Sequence, residues 1–326
     1  MLNSETIYIL CATDDNYAPY CGIMLTSLFV NNKDCQFVVY VFVDGSLTEE
    51  NVERYKRLGT KYGNDIKLKF VDESLVKRFP LNKRVAITLP TYYRLLAADL
   101  LPDMIHRVIY LDCDALVVGD IKPLWNVNID GIALAGVMDC ALYFDSLCNR
   151  LGYSVEYSYF NAGVLVLNLD YWRENCLTKK VVKFIFDNYS HLRWMDQDAL
   201  NGTLYNVKLL LPARYNYSTR FFLKKFWENY SLERQKYYLE ESGNIVIIHY
   251  QGNKPWNYKG YGGPFFPVWE KYRRESLWRD CRNIKPLGKH IKHLVKRYLF
   301  TGLFRSQHQE WAVTPENKKL FKNYIL

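Results

Sequence analysis

Short apolar runs rich in β-branched residues alternate with helical patterns along the first half of the chain. Strand-like runs lie at residues 7–13, 37–43, 66–71 and 107–111, and helical patterns lie at residues 17–31 and from Glu49 onward. Strands that alternate with helices form βαβ units, in which helices cover a largely parallel sheet. The pattern therefore predicts an α/β fold, with Thr48 as the cap that starts the second helix.

The second half of the chain continues this architecture. Further strands are predicted at residues 132–137, 163–167 and 245–249, and a helix at residues 171–189. A loop rich in glycine and proline follows residue 249. With 326 residues, 49% of them hydrophobic, the chain is long enough for one large domain with an appendage. We therefore predict one domain over residues 1–275 and a separate C-terminal region over residues 276–326.

The predicted C-terminal region carries much of the formal charge of +9. Between residues 279 and 305, eight lysines and arginines accompany a single acid, Asp280. Apolar and basic residues recur there on opposite sides of a helical pattern: Ile284, Leu287, Ile291, Leu294, Val295 and Tyr298 against Lys285, Lys289, Lys292 and Lys296. This predicts a basic amphipathic helix that attaches to an anionic membrane surface. The alternative is a surface helix whose apolar stripe packs on the larger domain.

Cysteine usage and the N-terminus indicate the compartment. The eight cysteines include no Cys-x-x-Cys pair, which is typical of reduced thiols. The apolar run at residues 7–12 lacks a basic leader and ends at Asp14, so we expect a first strand and not a signal peptide. No apolar stretch reaches the roughly 20 residues of a membrane span. We expect a cytoplasmic protein, peripheral on the inner face of the plasma membrane, with no nucleic-acid partner because no nucleic-acid-binding signature accompanies the basic tail.

Two aspartates follow the strand predicted at residues 107–111. Asp112 and Asp114 lie two positions apart at the strand end, where an open α/β sheet has its ligand crevice. Two carboxylates there can share one hard divalent cation and leave positions open for phosphate oxygens. The alternative is a helix cap beside an exposed acid, although the apolar residues on both sides of the pair favour the metal site.

His249 ends the last predicted strand and precedes the loop rich in glycine and proline. Such a histidine is often only a structural hydrogen-bonding group. Together with the two aspartates it would complete a mixed oxygen and nitrogen site that suits Mn²⁺ better than Ca²⁺, and Mg²⁺ is a second candidate. Lys254, five residues further on, either offers an ammonium group to a diphosphate or is a solvated loop lysine.

Four further polar segments are candidates for ligand contacts. The run Asp-Asp-Asn at residues 14–16 either contacts a nucleotide or caps the next helix. Arg94 lies in a helical pattern and could bind a phosphate or a carboxylate. The run Asp-Gln-Asp at residues 196–198 opens a helix, where one acid is expected to act as the cap. The run Asn-Ala-Gly at residues 161–163 precedes a buried strand, where small residues permit either close approach to a ligand or tight packing.

Taken in order, these segments resemble glycosyltransferase family 8, the retaining enzymes that include bacterial lipopolysaccharide α-galactosyltransferases and glucosyltransferases. The likeness covers about residues 6 to 260. Its elements are Ala12-Thr13-Asp14-Asp15-Asn16-Tyr17, Thr91-Tyr92-Tyr93-Arg94-Leu95, Tyr110-Leu111-Asp112-Cys113-Asp114, Tyr159-Phe160-Asn161-Ala162-Gly163-Val164, Asp196-Gln197-Asp198 and His249-Tyr250-Gln251-Gly252. Each element alone is weak, but the ordered set is highly specific.

The resemblance implies a GT-A fold, which is a Rossmann-like mixed sheet flanked by helices. It implies Mn²⁺ bound by Asp112, Asp114 and His249, and UDP-galactose or UDP-glucose as the donor. The residues that it implies around the donor are Ala12, Thr13, Asp14, Asn16, Arg94, Asp112, Cys113, Asp114, Asn161, Ala162, Gly252 and Lys254. Those that it implies at the reaction centre are Gln197, Asp196 and Asp139.

Enzymes of this family transfer a hexose with retention and form an α-glycosidic bond, here to a hydroxyl of a glycan, glycolipid or lipopolysaccharide. The resemblance places Gln197 beneath the anomeric carbon. Because an amide is a poor nucleophile, we expect the acceptor hydroxyl to attack on the face from which UDP leaves. Asp196 as a covalent nucleophile is the alternative. The sequence identifies neither the hexose nor the acceptor, since acceptor contacts come from variable loops.

Two other functions are compatible with parts of the sequence. In phosphatases of the haloacid dehalogenase type, a nucleophilic Asp-x-Asp pair also ends a strand, but it usually lies near the chain start with Thr or Val two residues after it. Here the pair begins at Asp112, and Leu116 occupies that later position. A non-catalytic protein that binds sugars or membranes on the same fold is the other alternative. The intact acidic pair and His249 argue against it.

Overall fold

The computed structural model describes residues 5–80, 88–252, 254–257 and 263–281. The strands within them are β1 Thr6–Thr13, β2 Gln36–Val43, β3 Asp65–Phe70, β4 Arg107–Leu111, β5 Ala115–Val117, β6 Leu134–Met138, β7 Phe160–Asn168, β8 Lys208–Leu211, β9 Tyr217–Ser218 and β10 Ile247–His249. They form a seven-stranded sheet in the order β3-β2-β1-β4-β7-β6-β8 and a three-stranded sheet in the order β5-β10-β9. In the larger sheet, β1 to β4 run parallel, and β7 runs antiparallel to both of its neighbours. The predicted α/β fold is confirmed.

Helices cover both faces of the larger sheet. Those with α-helical geometry are α1 Ala18–Asn31, α2 Glu49–Tyr62, α3 Ala97–Leu100, α4 Lys122–Trp125, α5 Phe144–Arg150, α6 Leu169–Glu174, α7 Leu177–Asp187, α8 Met195–Leu204, α9 Lys224–Trp227, α10 Leu232–Ser242 and α11 Phe266–Glu275. Helices α1, α2 and α11 pack on one face, and α6, α7 and α8 pack on the other. Because successive side chains of a strand point to opposite faces, Ile9 belongs to one core and Leu10 to the other.

Most predicted elements occur within a few residues of their expected bounds, and Thr48 caps α2 by accepting a hydrogen bond from Asn51 N. The single helix predicted at residues 171–189 is wrong. The chain forms α6 and α7 there, because Cys176 between them adopts a left-handed conformation with a φ of 51°, which a right-handed helix does not contain. Arg94 lies in a 3₁₀ segment and not in the α-helix that its pattern predicted.

The first residues of the predicted C-terminal region pack on the larger domain. Trp278 is fully buried, and its ring lies over Gly22 of α1, where a Cβ atom would overlap the ring. The indole Nε1 donates a hydrogen bond of 2.7 Å to Asn51 Oδ1. The remainder of that region, residues 282–326 with most of the predicted amphipathic helix, lies outside the described residues. The division of the chain at residue 275 stays a prediction.

We expect Trp278→Ala to destabilise the protein by about 3–5 kcal/mol, the usual cost of truncating a buried tryptophan. The change leaves a cavity over Gly22 and removes the hydrogen bond to Asn51. Urea unfolding followed by circular dichroism measures the free energy of unfolding. Trp194→Ala is the control, because Trp194 is 42% exposed and its loss should change stability little. Equal costs for the two variants would contradict the packing of Trp278.

Candidate active site

Backbone pairing brings together the strand ends that carry Asp112, Asp114 and His249. Strand β5 begins at Ala115, directly after the aspartates, and pairs antiparallel with β10 so that Ala115 lies opposite His249. The backbone N–H of Tyr250 also donates a hydrogen bond of 2.9 Å to the carbonyl of Asp114. The pairing therefore places an imidazole beside two carboxylates that are far from it in sequence.

The three side chains form a compact group at the buried end of a cavity. One ligand atom from each of Asp112, Asp114 and His249 lies within 4.8 Å of the other two. His249 Nε2 is 3.3 Å from Asp114 Oδ1 and 4.0 Å from Asp112 Oδ2. Asp114 and His249 are buried, and Asp112 is partly exposed. The structure thus brings together the three residues predicted as metal ligands.

Two hydrogen bonds hold one oxygen of Asp112 and leave the other facing His249. Arg94 Nη2 and the Tyr110 hydroxyl each donate to Asp112 Oδ1 at 2.8 Å. Arg94 is buried and also contacts Asp196 Oδ2 through its Nε at 3.1 Å. Of the two partners predicted for Arg94, a phosphate or a carboxylate, the structure therefore shows carboxylates. The rigid guanidinium links the metal-site aspartate to the start of α8.

The orientation of the His249 ring depends on Asn216, a residue to which the sequence assigned no role. His249 Nδ1 lies 2.8 Å from Asn216 Oδ1, and Asn216 Nδ2 donates to Asn161 Oδ1 at 2.8 Å. Because Asn216 uses its amide nitrogen on Asn161, its oxygen accepts from His249, and the imidazole proton is assigned to Nδ1. The lone pair of Nε2 then faces the two aspartates, as it must in a metal ligand.

Gly163 of β7 lies directly against Asp112 and His249. Its carbonyl accepts a hydrogen bond of 2.8 Å from Asp112 N, and its N–H donates to Asn161 Oδ1 at 2.9 Å. A Cβ atom here would overlap His249 Cε1 and would lie 2.8 Å from His249 Nδ1 and 2.9 Å from Asp112 Oδ2. Any side chain at this position is therefore incompatible with the observed positions of the His249 and Asp112 side chains.

Lys254 forms an ion pair with Asp114 and donates a further hydrogen bond of 3.1 Å to the Tyr250 carbonyl. It is therefore not a solvated loop lysine. Burial acts to raise the pKa of the Asp114 carboxyl, but Lys254 and His249 outweigh burial and hold that pKa well below its usual range. Asp114 is ionised at neutral pH, as a metal ligand must be. The two carboxylates and the imidazole are a donor set that fits a divalent cation, whereas the Lys254 ammonium fits an anionic group beside that cation.

A second polar network lies beside the metal group and centres on Gln197 at the start of α8. Gln197 Oε1 accepts hydrogen bonds from Asn161 Nδ2 and from the Ala162 N–H, both at 3.0 Å. Its Nε2 donates to the Tyr159 hydroxyl at 3.2 Å and to Asp139 Oδ2 at 3.4 Å. These contacts fix the amide plane, and they unite three of the residues predicted around the donor sugar: Gln197, Asp139 and Asn161.

Gln251 extends this network towards the C-terminal half of the chain. Its Nε2 donates to Asp139 Oδ2 at 3.1 Å, and its Oε1 accepts from Ser218 Oγ at 2.8 Å. Gln251 belongs to the motif His249-Tyr250-Gln251-Gly252, but the sequence alone indicated no role for it. Its position two residues after His249 was the available signal, since a side chain two residues beyond a ligand at a strand end can still face the same crevice.

The acids at residues 196 and 198 have different roles. Asp196 lies against Arg94, and burial raises the pKa of its carboxyl to about 6 in spite of that ion pair. Asp198 is fully buried and accepts hydrogen bonds of 2.8 and 2.9 Å from the two terminal nitrogens of Arg150. It also accepts from two backbone N–H groups of the turn before α8. The expected cap is wrong, because α8 begins after Trp194 without a side-chain cap, and Asp198 instead fixes the turn that precedes the helix.

The polar run after β1 also separates into different roles. Asp14 is buried at the cavity, and its Oδ1 accepts a hydrogen bond of 2.9 Å from Tyr17 N. Asp15 instead accepts from the N–H and the hydroxyl of Thr48, both at 2.8 Å, and so fixes the start of α2. Asn16 is exposed and does not line the cavity. Its place near a uridine stays a prediction.

These groups share one cavity of about 870 Å³, a size typical of small-molecule sites. Apart from Asn16, every residue predicted to contact the donor or the metal, or to act at the reaction centre, lines it. The lining residues among them are Ala12, Thr13, Asp14, Arg94, Asp112, Cys113, Asp114, Asp139, Asn161, Ala162, Asp196, Gln197, His249, Gly252 and Lys254. The folded chain therefore assembles the predicted residues at one place.

A sequence model described as Glycosyl transferase family 8 matches residues 8–260, a stretch that contains every lining residue named above. The chain belongs to glycosyltransferase family 8. The alternative of a dehalogenase-type phosphatase is thereby set aside. Within the described part of this family 8 chain, no helix combines the length and apolar character that crossing a bilayer requires.

Individual relatives of this family 8 enzyme agree with the match. General stress protein A of Bacillus subtilis is 34% identical over 87% of this chain and 98% of its own length. A lipopolysaccharide 1,2-glucosyltransferase of Escherichia coli is 29% identical over 86% of this chain and 79% of its own length. The galactosyltransferase LgtC, solved with donor and acceptor sugar analogues, superposes with a TM-score of 0.74 at 24% identity, over 84% of this chain and 100% of LgtC. The fold is therefore GT-A, as the resemblance implied.

Proposed function

We propose that this enzyme transfers galactose or glucose from a UDP-sugar, with retention and with Mn²⁺, to a hydroxyl of a glycan, glycolipid or lipopolysaccharide. The observation that carries the proposal is the convergence of Asp112, Asp114 and His249 beside the network of Gln197 in one cavity. A cation site next to a dense set of amide and carboxylate groups suits a ligand with a diphosphate at one end and a sugar at the other.

The metal would be held by Asp112, Asp114 and His249, and two carboxylates with one imidazole suit Mn²⁺, with Mg²⁺ as a second candidate. When bound, it supplies positive charge that stabilises the leaving UDP. Lys254, which pairs with Asp114, is within reach of the same place and would donate to the diphosphate. Asp14 lies at the end of β1 and would contact the nucleotide.

Contacts of the reaction centre support attack by the acceptor on the face that UDP leaves. The Gln197 oxygen already accepts two hydrogen bonds, and an amide is in any case a poor nucleophile. The Asp196 carboxylate is bound to Arg94, which lowers its nucleophilicity and disfavours a covalent intermediate. Asp139, Asn161 and Gln197 would instead hold the hexose hydroxyls and stabilise the charge that develops at the anomeric carbon.

A panel of nucleotide sugars tests the proposed function without knowledge of the acceptor. With Mn²⁺ present, we expect UDP-galactose or UDP-glucose to release UDP by slow hydrolysis, and GDP-mannose to release no GDP. Chelation by EDTA should abolish the release, and added Mn²⁺ should restore it. If no UDP-sugar is hydrolysed and UDP does not bind, the proposed donor is wrong.

Two substitutions test the placement of sugar and nucleotide. We expect Gln197→Ala to lower turnover at saturating donor by at least about 100-fold, or roughly 2.7 kcal/mol, with little change in UDP affinity. Asp14→Ala should do the reverse, because the proposal assigns Asp14 to the nucleotide. Turnover and UDP dissociation constants measure the two effects. Weaker UDP binding with unchanged turnover in Gln197→Ala would place the subsites the other way round.

The basic C-terminal region is proposed to hold the enzyme at an anionic membrane surface. Each basic residue near such a surface contributes roughly 1 kcal/mol, so several of them with an apolar stripe suffice for reversible binding. Truncation after Cys281 keeps the buried Trp278, so UDP-sugar hydrolysis should persist while sedimentation with anionic liposomes is lost. Sedimentation of the truncated protein at low salt, or none of the full-length protein, would contradict this role.

A further inference from the structure

Charge is segregated along the cavity. Its acidic lining residues are all buried or partly buried: Asp14, Asp112, Asp114, Asp139 and Asp196. Among its exposed lining residues, Arg193 and Lys225 are cationic and none is acidic. The exposed set is Thr88, Tyr143, Ser146, Arg193, Trp194, Lys225, Gly252 and Asn257. The buried end therefore suits a metal ion and a sugar, whereas the open end suits an anion.

Arg220 lines the same cavity and lies against Phe226 and Gly252. Its guanidinium carbon is 4.4 Å from the centre of the Phe226 ring, and its Cδ lies 3.7 Å from the place of a Cβ on Gly252. Within the described part of the chain, neither Arg220 nor Lys225 has an acidic partner. The undescribed residues 253 and 258–262 of the neighbouring loop contain no acid either. The side chains of Arg220 and Lys225 are thus available to an anionic ligand.

The segment that carries Arg220 is anchored to the reaction centre. Ser218 Oγ accepts a hydrogen bond of 3.2 Å from Arg220 N and donates to Gln251 Oε1 at 2.8 Å. Gln251 Nε2 donates to Asp139 Oδ2, which also receives a hydrogen bond from Gln197. A short chain of contacts therefore holds the backbone of Arg220 at a set position relative to Gln197.

Two aromatic side chains line the same open end. Tyr143 is 70% exposed and Trp194 is 42% exposed, and both contribute to the cavity wall. Flat rings with a polar edge suit the apolar face of a sugar in a half-solvated site. Aromatic surface and cations thus occur together outside the buried donor end.

We propose that this open end is the acceptor subsite and that the acceptor is an anionic saccharide, whose phosphate or carboxylate is held by Arg220 and Lys225. The inference rests on the proposed function, because it assigns the buried end to the UDP-sugar. The donor's own phosphates would be bound there by the metal that Asp112, Asp114 and His249 would hold, and by Lys254. A guanidinium fork can bind two oxygens of either anionic group, and the exposed Lys225 adds a mobile positive charge.

Ligand-observed NMR titrations test the proposal on the full-length enzyme saturated with UDP and Mn²⁺, so that the donor's phosphate positions are filled. The probes are glucose, glucose 6-phosphate and glucuronate, which share a ring and differ in charge. We expect one or both anionic sugars to bind about tenfold more tightly than glucose, and added NaCl to reduce the difference. The preferred anion distinguishes a phosphorylated from a carboxylated acceptor.

The double variant Arg220→Gln with Lys225→Gln should bind all three probes alike. Lys224→Gln, which removes one positive charge from a neighbouring residue that does not line the cavity, should keep the preference. Equal binding of the three probes by the wild-type enzyme, or an unchanged preference in the double variant, would overturn the proposal. So would a parallel loss of UDP affinity in the double variant, since that would assign Arg220 to the donor. A failure of UDP to bind the wild-type enzyme would instead contradict the proposed function.

Discussion

Asp112→Asn and Asp114→Asn are each expected to reduce UDP-sugar turnover by at least about 1000-fold, or roughly 4 kcal/mol of barrier. Replacing the carboxylate by an amide removes a charged metal ligand. The nearby acids of the cavity cannot replace it, because Asp196 is bound to Arg94 and Asp139 to the Asn161 amide. His249→Ala should be similarly severe. Binding of Mn²⁺, followed by electron paramagnetic resonance, should weaken in parallel, which gives a readout independent of turnover.

The matched control for these substitutions is Asp34→Asn. Asp34 is a surface acid paired with Lys122, and such pairs contribute little to stability. The control should keep both turnover and Mn²⁺ affinity, and circular dichroism should show a native fold in all variants. Turnover within about threefold of wild type in either variant, a barrier change on the order of 0.6 kcal/mol, would contradict the assignment of Asp112 and Asp114 as metal ligands.

Gly163→Ala is expected to lower turnover by at least about 100-fold, or roughly 2.7 kcal/mol, although it adds one methyl group and removes no polar atom. The new Cβ would overlap His249 and press on Asp112 Oδ2, so the two ligands must move apart. The affinity for Mn²⁺ should fall with turnover. The measurement is a metal titration of turnover, in which excess Mn²⁺ should restore only part of the lost rate.

Gly243→Ala is the matched control for Gly163→Ala. At Gly243 the backbone φ is −68°, and a Cβ would meet only the Glu240 carbonyl at an ordinary 3.5 Å. That variant should keep wild-type turnover and Mn²⁺ affinity. If Gly163→Ala behaved in the same way, the close approach of β7 to the metal ligands would not be a requirement of the site.

The local sequence pattern predicted the site residues correctly where those residues lie at the end of a strand. Asp112 and Asp114 directly follow β4, and His249 ends β10, so alternation of apolar strands with polar ends was enough to single them out. The helix predicted at residues 171–189 failed for the opposite reason. Its apolar spacing is helical throughout, but Cys176 adopts a left-handed conformation that separates α6 from α7, and apolar spacing carries no signal for such a break.

The sequence by itself determined the α/β class, the strand ends that carry Asp112, Asp114 and His249, and the family, because these follow from short-range periodicity and from the order of motifs. Only the tertiary structure decided which residues support those ligands. Asn216 reaches His249 because β9 and β10 pair side by side, and Gly163 reaches Asp112 because β7 runs antiparallel to β4. Such contacts depend on strand order in the sheet, and a pattern read along one chain carries no information about its spatial neighbours.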